Sequence, residues 1–245
     1  MINDGVIKTD KKITSFLMVG QSNMAGRGEI DDVPPIKNDL CFMLRMGRWQ
    51  PMSEPVNPDR AISGIRFHSG ISLAPSFADE FAKHTSSAVG LIPCADGGTS
   101  ISQWLPGGVL FDHAVMMTKL AMRTSELGGI IWHQGETDCQ GELNTQIYAQ
   151  HFLTVMNGFR RELGIKDLPI IIGELSENTA DVWKMNDNIK RMNSLLHELK
   201  SEIPYCEIAS ADGLMLKSDG LHFNSASCRI LGGRYFKAYM KLVDR

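Results

Sequence analysis

Little in this sequence is present in excess, and each shortage excludes something. The cysteines Cys41, Cys94, Cys139, Cys206 and Cys228 are an odd, scattered set of 5 in 245 residues, with no C-x-x-C pair. Neither a disulfide framework nor a zinc ribbon is expected from them, and buried or free thiols in a reducing compartment are the plain reading. No apolar run reaches the ~18 residues that a bilayer span requires. The first residues are polar and mixed in charge, without the apolar stretch of a secretory leader, so a cytoplasmic protein with no membrane association is expected. Basic excess is missing as well. Lys and Arg number 25 against 28 Asp and Glu, a net charge of −3, which gives no electrostatic pull toward nucleic acid or anionic lipid. Phosphate-binding signatures are absent, since neither G-x-G-x-x-G nor a Gly-rich loop followed by Lys occurs.

What remains is an ordinary globular composition, 43% hydrophobic and 22% charged. At ~150 residues per domain the length allows one domain or two. Apolar runs at 13–19, 87–93, 129–133, 169–175 and 205–209 read as five strands covered on both faces, as in a parallel sheet. Helical periods lie between and after them. Tyr148, Phe152, Val155, Phe159 and Leu163 line one face, and Val182, Met185, Ile189, Met192, Leu196 and Leu199 another. A weaker period joins Leu110, Ala114, Met117 and Ala121, and further helices are expected at about 72–83 and 225–242. This β-α alternation predicts an α/β fold, a three-layer α/β/α sandwich around a five-stranded parallel sheet. Residues 27–70, rich in Pro, Gly and Asn, break the rhythm and read as one long loop.

Ligands of doubly wound sheets bind outside the carboxyl ends of the strands, which selects four segments. Ser22 follows the first strand and Gly20. It reads as a helix N-cap or as a nucleophile at a helix start. His222, with Asp219 three residues before it across Gly220, could supply the base and the carboxylate that a serine nucleophile needs. Gly97-Gly98-Thr99 reads as a tight turn or as a loop whose backbone N–H faces an oxyanion. Gln134 could add an amide donor, and Glu136 is either a second partner for His222 or a loop-fixing residue. A metal at His133-x-x-Glu136 is set aside, because the second histidine of H-E-x-x-H is missing.

Taken together, FLMVGQSNMAG (16–26), PCADGGTSISQW (93–104), IIWHQGETD (130–138) and SDGLHF (218–223) resemble the SGNH (GDSL-like) hydrolase superfamily. Within it they are most similar to the branch of carbohydrate esterase family six acetylxylan esterases and sialate O-acetylesterases. The resemblance implies a flavodoxin-like sandwich. It also implies Ser22 as nucleophile, His222 as base, and Asp219 or Glu136 as the supporting acid. The oxyanion hole would be Ser22, Gly98 (less readily Gly97) and Gln134. The implied activity is removal of O-acetyl groups from sugars through an acetyl-serine, without metal or cofactor. Acetylated xylan or xylo-oligosaccharide is the favoured substrate, with O-acetylated sialic acid the alternative. Arg60, Arg66, His68 and Trp104 are candidate sugar contacts. Ser22 and His222 lie 200 positions apart yet must meet, so a single domain over 1–245 is expected. A non-catalytic carbohydrate-binding domain of the same fold, and a thioesterase or lipase-like enzyme, are the rival readings. The first would have no use for Ser22 and His222, and the second would want an apolar acyl groove that the polar 27–70 stretch does not offer.

Overall fold

Strand β1 (Ile13–Gly20) carries the apolar run ITSFLMVG and is buried at all but one position, so it must lie at the centre of a sheet covered on both faces. It pairs in parallel with β4 (Val89–Pro93) on one side and β5 (Ser125–His133) on the other. Beyond β5 come β6 (Ile170–Gly173) and β7 (Cys206–Ala209), also parallel. The five expected strands thus stand in the order β4-β1-β5-β6-β7, the second-first-third-fourth-fifth order of flavodoxin-like sheets. A computed structural model describes residues 12–59 and 68–244 of the chain.

The expected strand number needs correction. Among the described residues the sheet has seven strands, because β2 (Cys41–Arg45) adds in parallel to β4 and β3 (Arg48–Pro51) closes the edge antiparallel to β2. Both lie in the stretch read as loop. Their hairpin turns through Met46 and Gly47, with φ of 52° and 78°, the backbone of a two-residue primed turn. Such turns are usually announced by Asn-Gly or Asp-Gly, and Met in the first position hides this one. Pro51 at the end of β3 suits an outer strand, where no partner needs its missing N–H.

Successive side chains of β1 point to opposite faces and feed two cores. Leu17 and Val19 join Trp132, Phe152, Phe159 and Leu196 under α3 (Val109–Ala121), α4 (Thr145–Leu163) and α5 (Asn186–Glu202). Phe16 and Met18 join Phe77, Tyr235 and Tyr239 under α2 (Ala74–Thr85) and α6 (Ser225–Val243). The α5 seam runs from Met185 to Leu199 as its spacing predicts, but Val182 lies outside it. It sits in a 3-10 turn (Asp181–Trp183) and is 77% exposed. All five cysteines are buried, and burial pushes the thiols of Cys41, Cys206 and Cys228 up to about 12, away from thiolate reactivity. Among the described residues no helix is long and apolar enough to cross a membrane.

The carboxyl edge of the sheet is stitched from strand to strand. Gln21 N–H donates to His133 O at 2.9 Å and Asp96 N–H to Gly20 O at 2.9 Å. Gly20 has φ of 130°, and a Cβ there would lie 2.0 Å from His133 O. Only glycine therefore lets the chain leave β1 this close to the end of β5. The loops after β1, β4 and β5 are brought side by side at that edge.

Candidate active site

Leaving β1, the chain enters α1 (Ser22–Ala25), with Gln21 rather than Ser22 at the N-cap and no side-chain capping bond. The Ser22 hydroxyl is therefore not used as a cap. Its Oγ lies 2.9 Å from His222 Nε2. The other ring nitrogen, Nδ1, lies 2.8 Å from Asp219 Oδ2. Asp219 bends its loop back on itself: its Oδ1 accepts from the N–H groups of Leu221 and His222, both at 2.9 Å. The turn passes through Gly220 at φ 65°. Ala180 N–H donates to Gly220 O at 2.8 Å and Trp183 Nε1 to Asp219 O at 2.8 Å, which anchors the turn from outside.

Burial raises the Asp219 pKa, but hydrogen bonds from the His222 backbone and ring and from Leu221 N–H outweigh it and hold the carboxyl below its usual value. An ionised Asp219 can only accept, so His222 Nδ1 carries the proton and Nε2 faces Ser22 with its lone pair. That is the tautomer a general base requires.

Glu136, the other carboxylate in contention, does not touch His222. It is buried, its Oε1 accepts from Asn23 Nδ2 at 2.5 Å, and the same oxygen lies 3.4 Å from His133 Nε2. Burial pushes its pKa up, yet His133 and Asn23 together hold it below the usual range. The choice between the two carboxylates, open in the sequence, is a matter of reach. Asp219 is on the turn of His222, whereas Glu136 is across Asn23 from it.

The donors expected to face an oxyanion divide. Among the described residues the N–H groups of Ser22 and Gly98 donate to no protein acceptor, and Gly98 is exposed with φ of 73°. Gln134 is different, and its expected role is corrected. It is 0% exposed, and its Nε2 donates to Asp138 Oδ2 at 2.5 Å and Thr99 O at 2.9 Å, with Gln21 Oε1 at 3.2 Å. Two amide protons facing three acceptors leave none for a substrate. Gln134 instead braces the Gly97-Gly98-Thr99 loop, with Asp138 also accepting from Ile101 N–H at 3.1 Å.

The expected sugar contacts fare worse. Trp104 is 0% exposed, donates from its indole to Thr99 Oγ1 at 3.1 Å, and packs edge-on against Trp132. The 3-10 turn Ile101–Trp104, closed by a Ser100–Gln103 capping box, rolls this ring into the core, so it cannot stack on a sugar. His68 is exposed and bound to Asp59 Oδ2 at 3.1 Å. Arg60 and Arg66 lie outside the described residues. Two residues escaped the sequence reading: Asn23, whose only signal was its place beside Ser22, and Trp183, masked by the helical period assigned to Val182.

The lowered carboxylates make a prediction about stability. Glu136, Glu174, Glu207 and Asp219 all have folded values below their ordinary ones. Each contributes stability that is complete above its unfolded value and is lost as pH falls through the folded one. Melting temperatures should therefore fall steeply only below about pH 4.5, the ordinary glutamate value. Thermal melts from pH 7 to pH 3 check this, and a decline already complete at pH 5 would contradict it.

Known proteins share this sequence pattern and fold. A model of the family described as carbohydrate esterase, sialic acid-specific acetylesterase, matches residues 12–241. A "probable carbohydrate esterase" of Arabidopsis thaliana is 27% identical over 244 aligned residues, 92% of this chain and 89% of its own. The X-ray structure of that plant protein superposes with a TM-score of 0.83 at 26% identity, covering 94% of this chain and 98% of the other. NanS shares the fold at a TM-score of 0.75 and 15% identity, over 96% of this chain and 98% of its own. A carbohydrate acetylesterase from Xanthomonas citri shares it at 0.60 and 20% identity, over 94% of this chain and 56% of its own. The family match spans nearly the whole described chain and includes every segment that meets at the sheet edge. The chain belongs to the carbohydrate esterase family of sialic acid-specific acetylesterases and is a carboxylic ester hydrolase of acetylated carbohydrate.

Proposed function

We propose that the protein removes O-acetyl groups from sugars by a serine mechanism, with Ser22 as nucleophile, His222 as general base and acid, and Asp219 as the carboxylate behind it. The observation that carries this reading is the unbroken chain from Ser22 Oγ to His222 Nε2 at 2.9 Å and from His222 Nδ1 to Asp219 Oδ2 at 2.8 Å. Ser22 Oγ attacks the acetyl carbonyl while its proton passes to His222 Nε2. The carbonyl oxygen becomes an oxyanion held by the N–H groups of Ser22 and Gly98. The bond to the sugar oxygen then breaks, and His222 returns the proton to that oxygen. Water, deprotonated by His222, attacks the acetyl-serine, and Ser22 leaves with the proton as acetate is released. Throughout, ionised Asp219 stabilises the imidazolium and holds its orientation.

One sheet running from Ile13 to Ala209 and the meeting of Ser22 with His222 support a single catalytic domain. As to substrate, the family description favours an O-acetylated sialic acid over the acetylated xylo-oligosaccharide that the motifs suggest. The two differ in charge. Five residues past Ser22, the partly buried guanidinium of Arg27 lies within electrostatic range of Asp59 and Asp96, and a sialic acid carboxylate would compete with those acids for it. Acetate release from 9-O-acetyl sialic acid, from acetylated xylo-oligosaccharides and from p-nitrophenyl esters tests the reading. Acetylated sugars and p-nitrophenyl acetate should be cleaved, with the sialic acid ester preferred. Faster cleavage of octanoyl than acetyl esters would overturn it, and no acetate release from any of them would favour a non-catalytic sugar-binding domain.

A further inference from the structure

Beneath the proposed triad lies a buried polar network that none of the steps above uses. It begins at Asn23, next to Ser22 on α1. Asn23 Oδ1 accepts from Phe223 N–H at 3.1 Å, and its Nδ2 lies 3.4 Å from Leu221 O. One side chain thus holds the backbone on both sides of His222. The same Nδ2 donates to Glu136 Oε1 at 2.5 Å.

Behind Glu136 stands His133, whose Nε2 is 3.4 Å from the same oxygen and whose Nδ1 is 3.0 Å from the Tyr235 hydroxyl. Tyr235 donates its single proton to Trp132 O at 2.7 Å, so its oxygen must accept from His133 Nδ1–H. This fixes the imidazole and turns Nε2 toward Glu136. Gly173 makes room for the contact, because a Cβ there would fall 2.0 Å from the Tyr235 oxygen. The network therefore ties the end of β5 and the middle of α6 to the loop that carries His222.

We propose that Asn23 and Glu136 are positioning residues for His222, with Glu136 acting through the Asn23 amide and not by contact with the imidazole. This rests on the serine-esterase reading. Asn23 has one end that accepts and one that donates, and only a carboxylate at position 136 presents pure acceptor capacity to the donating end. With Nδ2 held there, Oδ1 is aimed at Phe223 N–H, and His222 is kept where Nε2 meets Ser22 Oγ. Loss of that hold lets the imidazole drift, and a misplacement of about 1 Å can cost ~10²-fold in turnover. Because the hold concerns a proton-transfer geometry and touches no substrate, the loss belongs in kcat and not in KM.

The test uses four variants of the full chain in steady-state hydrolysis of p-nitrophenyl acetate, with thermal melts on each. Asn23→Asp sets a carboxylate against Glu136 and should lower kcat by about 10–10²-fold at near-constant KM. Glu136→Gln keeps an acceptor but permits the wrong amide orientation, and should lose about tenfold or less. The double variant Asn23→Asp with Glu136→Gln restores one donor facing one acceptor, with the roles exchanged, and should recover most of the kcat lost in Asn23→Asp. Ser22→Ala in the same assay separates the two levels of the argument. If it retains activity, the serine-esterase reading fails. If it is inactive but Asn23→Asp and Glu136→Gln turn over like the wild type, the positioning inference alone fails. It also fails if the double variant is no faster than Asn23→Asp while its melting temperature is at least as high, or if the losses appear in KM.

Discussion

Replacing Ser22 by Ala should lower kcat for an acetyl ester by about 10⁴–10⁶-fold, and His222→Ala should do about the same. A serine hydroxyl is a weak nucleophile at neutral pH, and its reactivity depends on a base placed to take its proton as the new bond forms. The proposed base, His222, has Nε2 2.9 Å from the hydroxyl and its Nδ1 turned to Asp219. The two residues act as a unit, so the double variant should be little worse than either single one. What survives should be the modest catalysis of the oxyanion donors and of binding, about 10³–10⁴-fold over water. The fold should be nearly indifferent, because Ser22 Oγ caps no helix and, among the described residues, binds only His222. Kinetics of purified variants with matched melting curves check this. A Ser22→Ala enzyme within tenfold of the parent would remove serine catalysis from consideration.

Asp219→Asn should be the next most damaging change, with a loss of about 10²–10⁴-fold in kcat. The turn itself should survive, since an amide oxygen can still accept from the N–H groups of Leu221 and His222, which now bond to Oδ1. The other end of the side chain carries the damage. An amide NH₂ facing His222 Nδ1 forces that nitrogen to accept, moves the ring proton to Nε2, and leaves the imidazole unable to receive a proton from Ser22. The loss should fall toward the lower end of the range, because the Asp219 side chain is 36% exposed and solvent screens part of its charge. Glu136→Gln should lose far less, since Glu136 reaches His222 only through Asn23. Equal losses in Asp219→Asn and Glu136→Gln would mean that the supporting charge is shared, contrary to the contacts described.

Much of this arrangement could be read from residue order. The run FLMV in β1 is too apolar for any place but a doubly covered strand, and the period from Met185 to Leu199 could form only an amphipathic helix. The β2–β3 hairpin escaped because Met46-Gly47 lacks the usual turn residues and the strands on either side are short. Trp104 looked available for a sugar because an aromatic after a polar loop has no period to say which way it points. The capping box at Ser100 and the packing against Trp132 decide that it points inward. Gln134 matched an oxyanion donor by residue type, but the acceptors already gathered around it come from Thr99, Gln21 and Asp138, in three different loops.

By itself, the sequence determined five of the sheet's strands, the placement of four polar motifs at one edge, and the tight turn through Gly220 between Asp219 and His222. All of these depend on residues within a few positions of one another, where backbone geometry leaves few choices. Only the tertiary structure decided that Asp219 and not Glu136 meets the imidazole, that Gln134 and Trp104 are spent on the fold, and that Asn23 joins the two halves of the site. Those outcomes depend on which donors and acceptors arrive from other loops, for Asn23 from segments more than 100 residues away. A buried hydrogen-bonding group takes whichever partner packing brings within about 3 Å, and that choice is made across the sheet.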